Sequence, residues 1–345
     1  MNTAQILETF FIAFIVSYAL SPFVRKIALR IGYVDHPKDN KVHAHPTPLL
    51  GGVAIFFAFT ISVVTKIGLV SSGHVIALMA GCVVLLIVGL IDDKIGMMPN
   101  VKLLGQFLAA LIVIKAGVRA EFLGNYYLDV VFTYLWIVGI TNSFNLLDNM
   151  NGLSAGIASI AAIFFGILAY MNGQHMVCAL SFALAGCTMG FLRHNFPKAS
   201  IFMGDAGSLI IGYLLSVIAI LANWKTRSMS TSLIVPLLVL GYPIFDTTLV
   251  TIIRMLEKRS VFEGGKDHSS HRIALLGLKK YGAVLAIYSV CIFLGIIALI
   301  VAKSHGVRAI SMGLFTFFAM LGLGVRLSFV DTKRFGRKKG LHDIQ

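Results

Sequence analysis

The acids and amides of this chain fall into a few dense stretches. In "IFMGDAGSLIIGYLL", Asp205 stands between Gly204 and Ala206-Gly207 at the start of an uncharged run. A carboxylate beside hydrocarbon is costly unless paired, so Asp205 is either the N-cap of the following segment or a site residue. In "GLIDDKIGMMPNVKLLGQ", Asp92 and Asp93 are adjacent, with Lys94, Lys102 and Gln106 beyond them. Neighbouring carboxylates repel, so the pair needs a cation or a proton, or else forms a hydrated cap that opposes the helix dipole. In "TNSFNLLDNMNGLSAG", Asn142, Asn145, Asp148, Asn149 and Asn151 supply amide and carboxylate oxygens, with no Lys or Arg to neutralise Asp148. Such oxygens suit a hard cation, and amide N–H groups suit phosphate or a nucleobase; an Asx-rich turn is the plainer reading.

Three further stretches carry charge. "DHPKDNKVHAHPTPLLGG" ends in Gly51-Gly52, whose backbone N–H groups at a helix start can meet an anion. "GYPIFDTTLVTIIR" sets Asp246 two helical turns inside Arg254, as an intramembrane site or a salt bridge to a neighbouring helix. "RMLEKRSVFEGGKDHSSHRIALLGLKK" is strongly basic, with His268 and His271 three apart and Arg272 adjacent. Without a third ligand nearby the histidines make a poor transition-metal site, and donors to a diphosphate suit the stretch better.

The elements that position these groups follow from hydropathy. Of 345 residues, 57% are hydrophobic and 13% charged, about half the charged fraction of soluble domains. Eleven apolar segments span about 4–24, 50–70, 74–91, 103–118, 128–144, 152–171, 175–192, 206–222, 231–253, 281–302 and 308–328. Their lengths suit helices that cross a bilayer, because lipid leaves backbone groups only internal partners. The fold class expected is all-α: a polytopic membrane bundle of about 11 transmembrane helices, forming one domain over 1–345 with a basic tail at about 329–345. Arg25 and Lys26 follow the first apolar run rather than precede it, so that run is an anchor and not a cleaved signal. This polarity puts the N-terminus outside and the C-terminus in the cytoplasm. The arrangement places 22 of the 29 Lys and Arg on the cytoplasmic side. The net charge of +14 then lies against anionic lipid. Cys82, Cys178, Cys187 and Cys291 fall inside apolar segments, which excludes a disulfide framework, and no nucleic-acid motif is present.

Carboxylates and amides for a hard cation, ringed by Lys, Arg and His beside a lipid phase, suit a reaction joining a soluble phosphorylated donor to a membrane-bound phosphate. "GLIDD", "NSFNLLDNMNGL" and "FMGDAGSL", in this order, resemble the polyprenyl-phosphate N-acetylhexosamine-1-phosphate transferases, in particular the bacterial undecaprenyl-phosphate GlcNAc-1-phosphate branch. The resemblance implies that Asp205 ligates Mg²⁺ (or Mn²⁺), with Asn145 as a metal-site amide, and that Asp92 and Asp93 are the catalytic pair. It implies substrate binding by Lys102, Asn142, Asp148, Asn151, Asn195, Phe202, His268, His271 and Arg272. Asn195, Phe202 and Asn151 would hold uracil. The "HSSHR" run departs from the tighter three-histidine cluster of many relatives, and that departure bears on sugar choice.

The partners implied are a UDP-N-acetylhexosamine, undecaprenyl phosphate, membrane lipids and a second copy of the chain as a homodimer. The location implied is the bacterial inner (plasma) membrane, with the site facing the cytoplasm. A phospho-MurNAc-pentapeptide-type transferase and a secondary transporter are the alternatives. Inverted repeats, the mark of many transporters, are not apparent, and the acids gather at one face.

Overall fold

A computed structural model describes residues 3–35, 46–66, 73–222, 229–261, 265–304, 306–330 and 332. Lys38, Lys41, His43, His45 and nearly all of the basic tail lie outside the described residues. The chain divides into two compact units, Met1–Asn223 and Trp224–Gln345.

The first unit begins with α1 (Thr3–Arg30). A two-residue ladder follows, in which β1 (Val34–Asp35) runs antiparallel to β2 (Thr47–Pro48). Then come α2 (Gly51–Lys66), α3 (Gly73–Ile95), α4 (Pro99–Lys115), α5 (Tyr126–Leu147), α6 (Leu153–Met171), α7 (His175–Asn195) and α8 (Gly204–Leu221). Local chemistry sets several boundaries. Pro99 opens α4, where its missing N–H costs nothing. Asn125 caps α5 by accepting from the N–H groups of Tyr127 (3.0 Å) and Leu128 (3.2 Å).

Helix α8 is the core of this unit, buried continuously from Ala206 to Ala219. Small residues let its neighbours approach: a Cβ on Gly89 of α3 or Gly52 of α2 would collide with the α8 backbone at Ala206 or Gly207. Helix α1 lies on α7 in the same way, over Gly186 and Gly190. There the Ser17 hydroxyl donates to the Cys187 carbonyl at 2.7 Å. With no hydrophobic drive between helices in lipid, such close backbone packing and interhelical hydrogen bonds hold the bundle.

The second unit holds α9 (Met229–Val239), α10 (Gly241–Leu256), the short α11 (Ser269–Leu275), α12 (Lys280–Lys303) and α13 (Val307–Ser328). Helices α9 and α10 meet at a 76° bend. Pro243 explains the break, because it has no N–H to give the Val239 carbonyl.

Within the described residues each of the eleven apolar segments holds a helix, the ninth as the bent α9–α10 pair. Among the described residues, eight helices are long and apolar enough to cross a membrane, or nine if the bent pair counts as one span. Among the described residues the protein is thus all-helical apart from one two-stranded ladder, and it is an integral membrane protein. Helix α4, with 17 residues, comes to only about 26 Å at 1.5 Å per residue, short of the ~30 Å hydrocarbon core.

Candidate functional site

In the first unit, the ends of α3, α4, α5 and α8 bring Asp92, Asp93, Lys102, Asn145 and Asp205 together. Asp92 and Asp93 sit in the last turn of α3, where successive residues point in different directions, and they do different things. Asp93 turns toward α8: its Oδ1 accepts the Asp205 N–H at 2.8 Å and its Oδ2 the Ala206 N–H at 3.4 Å. Thus Asp93, not Asp205, caps α8, from 112 residues away. Its two oxygens satisfy N–H groups that the first turn of a helix leaves without partners. Gly204 makes this approach feasible. Its φ is +70°, and a Cβ there would stand 2.5 Å from Asp93 Oδ2 and 2.6 Å from the Leu49 carbonyl.

Asp92 turns toward α4. Its Oδ1 accepts the Met97 N–H at 2.6 Å, and its Oδ2 lies 2.7 Å from Lys102 Nζ. The same ammonium contacts Asp205 Oδ2. Asp205 Oδ1 accepts Asn145 Nδ2 at 2.7 Å, and that amide also donates to the Ser208 hydroxyl at 2.9 Å. Ser208 was not singled out in the sequence, although its place one helical turn beyond Asp205 puts both on one face. The Asp205 side chain keeps 35% of its exposure against 10% for Asp92 and 14% for Lys102, so the cluster opens on the Asp205 side.

Around this centre, Asn142 exchanges amide hydrogen bonds with Gln106 at 2.6 and 3.2 Å. Asp148 follows the end of α5, half-buried, and burial followed by the Asp205 charge pushes its carboxyl up to about 7. Tyr33 donates to the Leu90 carbonyl, and burial with the nearby Asp93, Asp205 and Asp92 charges pushes its phenol well up.

The residues expected at uracil occupy the loop joining α7 to α8 and the turn before α6. Asn195 is buried, and both ends of its amide are in use. Its Oδ1 accepts the Gly152 N–H at 2.7 Å, and its Nδ2 donates to the Ile201 carbonyl at 2.9 Å. It therefore ties the two segments together. Asn151 is exposed and donates to the Pro197 carbonyl at 3.3 Å. Phe202 is half-buried, its backbone N–H given to the Pro48 carbonyl at 2.7 Å.

One expectation is corrected. The Gly51 and Gly52 N–H groups do not face an anion; they donate to the Phe202 and Met203 carbonyls at 3.0 and 2.8 Å. The glycines serve the tight seating of α2 against α8.

Within the second unit, His268, His271 and Arg272 are all buried. His268 Nδ1 lies 2.8 Å from Asp246 Oδ2, while Asp246 Oδ1 accepts the Ser269 N–H (2.7 Å) and hydroxyl (2.5 Å). The Ser269 hydroxyl also meets Tyr242 at 2.6 Å. Asp246 is thus bound to the histidine stretch and not to Arg254. Arg254 instead grips Asp267 through two 2.8 Å bonds and gives a third to the Val261 carbonyl. Burial alone would raise the Asp267 carboxyl, but the guanidinium outweighs it and holds the group at about 2. Arg272 donates to the carbonyls of Asp267, Leu327 and Val330 at 2.8–3.1 Å, tying α11 to the end of α13. Burial, then His268, push the His271 imidazole down to about 4, so it is neutral at pH 7.

Among the described residues, no group of three or more His, Cys, Asp or Glu side chains could by itself hold a metal ion. The two Oδ2 atoms of Asp92 and Asp205 nevertheless converge on one cationic nitrogen. Such an oxygen donor set fits Mg²⁺, which is commonly held by one or two carboxylates together with substrate phosphates and water.

Comparison with known proteins agrees with the motif series. The model for the family described as "Glycosyl transferase family 4" matches residues 75–223. A Bacillus subtilis (strain 168) protein named "Probable undecaprenyl-phosphate N-acetylglucosaminyl 1-phosphate transferase" is 34% identical over 326 residues, covering 92% of this chain and 89% of its own. The "Decaprenyl-phosphate N-acetylglucosaminephosphotransferase" of Mycobacterium tuberculosis (strain ATCC 25618 / H37Rv) is 33% identical, over 85% of this chain and 80% of its own. The "Phospho-N-acetylmuramoyl-pentapeptide-transferase" of Bacillus pumilus (strain SAFR-032) is 28% identical, over 85% and 97%.

Proposed function

This chain belongs to glycosyl transferase family 4, the polyprenyl-phosphate N-acetylhexosamine-1-phosphate transferases, and from that premise we propose that it moves GlcNAc-1-phosphate from UDP-GlcNAc to undecaprenyl phosphate, releasing UMP. It is a phosphotransferase and an integral membrane protein. The place of action proposed is the cytoplasmic face of the bacterial inner membrane, at the start of a lipid-linked envelope glycan.

One observation carries the reading: the Asp92–Lys102–Asp205–Asn145 cluster, fixed at four helix ends and open on one side. Both reactants are anionic, so charge must be neutralised before donor phosphorus and acceptor oxygen can approach. Asp205 and Asp92 would hold Mg²⁺, with the Asn145 amide beside them; bound there, the ion would offset diphosphate charge and stabilise the leaving UMP. Lys102 supplies a cation for a phosphate oxygen. Asp93 keeps Asp205 in place through its N–H and gives no free oxygen on that side, so Asp92 is the member of the pair that faces the reactants. A phosphate acceptor needs no proton removed, which favours direct attack over an aspartyl-phosphate intermediate.

Asn195 acts by holding Gly152 to Ile201, while Phe202 and Asn151 offer a ring and an amide for the base. For His268, His271 and Arg272 the support is the resemblance of the "DHSSHR" stretch, since their hydrogen bonds serve the second unit itself.

The test is purified protein in nanodiscs with undecaprenyl phosphate, Mg²⁺ and a panel of UDP-sugars that includes UDP-MurNAc-pentapeptide. UMP and polyprenyl-diphosphate-GlcNAc should appear together with UDP-GlcNAc. Turnover with the pentapeptide donor alone would replace the sugar assignment. Uptake of a solute by proteoliposomes without UMP release would replace the transferase reading with transport.

A further inference from the structure

The placement of Lys102 points beyond a simple phosphate contact. Asp92 Oδ1 is held by the Met97 N–H and Asp205 Oδ1 by the Asn145 amide, which leaves one oxygen of each carboxylate uncommitted to the scaffold. Both of these atoms meet Lys102 Nζ. The lysine comes from the first turn of α4 on a flexible four-carbon stem, and its side chain retains 14% exposure. With the ammonium in place, two carboxylates share one positive charge. A divalent cation on the same two oxygens and the ammonium in its present position would repel each other at short range.

The geometry points to Lys102 as an internal counter-ion that occupies the Asp92–Asp205 pair until a divalent cation displaces it, and that then becomes available to a phosphate of the donor. The inference rests on the reading that this pair holds the cation. It adds an order to the site: cation arrival and anion binding are coupled through one side chain. By linkage, each ligand raises the affinity for the other. The same contact explains how two carboxylates can stand together stably when no cation is bound.

The experiment measures cation binding directly, apart from turnover. Mn²⁺ is titrated into the full-length protein in nanodiscs, without donor or acceptor, and free Mn²⁺ is followed by electron paramagnetic resonance. Lys102→Met should bind Mn²⁺ about tenfold more tightly than the native protein, because the competing charge is gone. Asp205→Asn should lose most of the binding. In the native protein, mass-spectrometric labelling with an amine-reactive reagent should modify Lys102 severalfold faster once Mn²⁺ is bound, with Lys94 as the internal reference. This second measurement stands even if Lys102→Met does not fold. Equal Mn²⁺ affinity in native and Lys102→Met protein, or unchanged Lys102 labelling at saturating Mn²⁺, overturns the counter-ion role and leaves the cation site intact. Absence of Mn²⁺ binding in the native protein and in Lys102→Met overturns the cation site itself.

Discussion

Two polar clusters with similar compositions have opposite characters. In the first unit, Asp92, Lys102, Asn145 and Asp205 meet at helix ends, and Asp205 keeps a third of its side-chain exposure. In the second unit, Asp246, Arg254, Asp267 and Arg272 are buried and hydrogen-bonded to fixed partners, Arg254 and Asp267 to each other. Arg254 is fully buried with a two-bonded carboxylate, an arrangement that tolerates no exchange of partner. The lesson lies in what is left over after internal pairing. The first cluster turns one oxygen of each carboxylate to a single lysine ammonium; the second has spent its donors and acceptors on holding α10, α11 and α13 together. A charged motif near a helix end can belong to either kind, and the count of committed atoms tells them apart.

If the open cluster is where chemistry happens, Asp205→Asn should cut turnover by about a hundredfold or more, the scale of a lost charge-stabilising group. Thermal stability should change little, because Asn can still accept from Asn145. UMP release together with a melting curve checks both. Near-normal turnover would break the contrast by making Asp205 as structural as Asp246.

If the sealed cluster is scaffolding, Arg254→Met should destabilise the protein by about 3 kcal/mol, leaving the buried Asp267 carboxylate only its 3.5 Å contact with Arg259. Arg254→Met with Asp267→Leu should recover most of that loss, since an apolar pair needs no partner. Denaturant melts in one detergent give both values. A double variant no better than the single would mean that the pair sets geometry that apolar packing cannot replace.

The sequence made the elements legible and the pairing only partly so. Hydropathy placed all eleven helical segments, because lipid enforces helix wherever apolar runs are long enough. It could not show the bend at Leu240, which depends on how Pro243 falls relative to Val239. The glycines of "FMGDAGSL" make room for different neighbours, which the sequence does not name: Gly204 admits Asp93, while Gly207 admits Gly52 and Met203. "GLIDD" marked an aspartate pair without separating its members, since only the turn of α3 sends one carboxylate to α8 and the other to α4. Asp246 was visible as a buried acid, but its partners, His268 and Ser269, lie 22 and 23 residues on, beyond any helical spacing. Arg272 was visible as a candidate phosphate donor, but its carbonyl partners carry no sequence signal.

The division of labour inside the aspartate pair gives a sharper test at smaller scale. Gly204→Ala should cost about 2–3 kcal/mol, from a positive φ and a Cβ pressed against Asp93 and the Leu49 carbonyl. Turnover should fall with it, because Asp205 is the next residue. Alanine at this position with full stability and full activity would mean that Asp93 does not govern the placement of α8.

The smallest expected effect concerns acid. Asp267 is held at about 2 in the folded protein by Arg254, against about 3.9 for an unperturbed aspartate. A depressed folded value means that the unfolded chain binds the proton first as pH falls. The stabilisation is therefore complete above pH ~5 and disappears as pH drops through about 2, and from the two values it is worth about 2.6 kcal/mol. Between pH 8 and 5 the stability difference between native protein and Asp267→Asn should stay constant; from pH 4 down to 2 it should shrink. His271 is held at about 4 against 6.5 for an ordinary histidine, so it lowers the stability of both proteins alike as pH falls between those values and cancels from the difference. A stability gap that already closes between pH 6 and 5 would show that Asp267 is not held down by the guanidinium, and that the second cluster is looser than its hydrogen bonds portray.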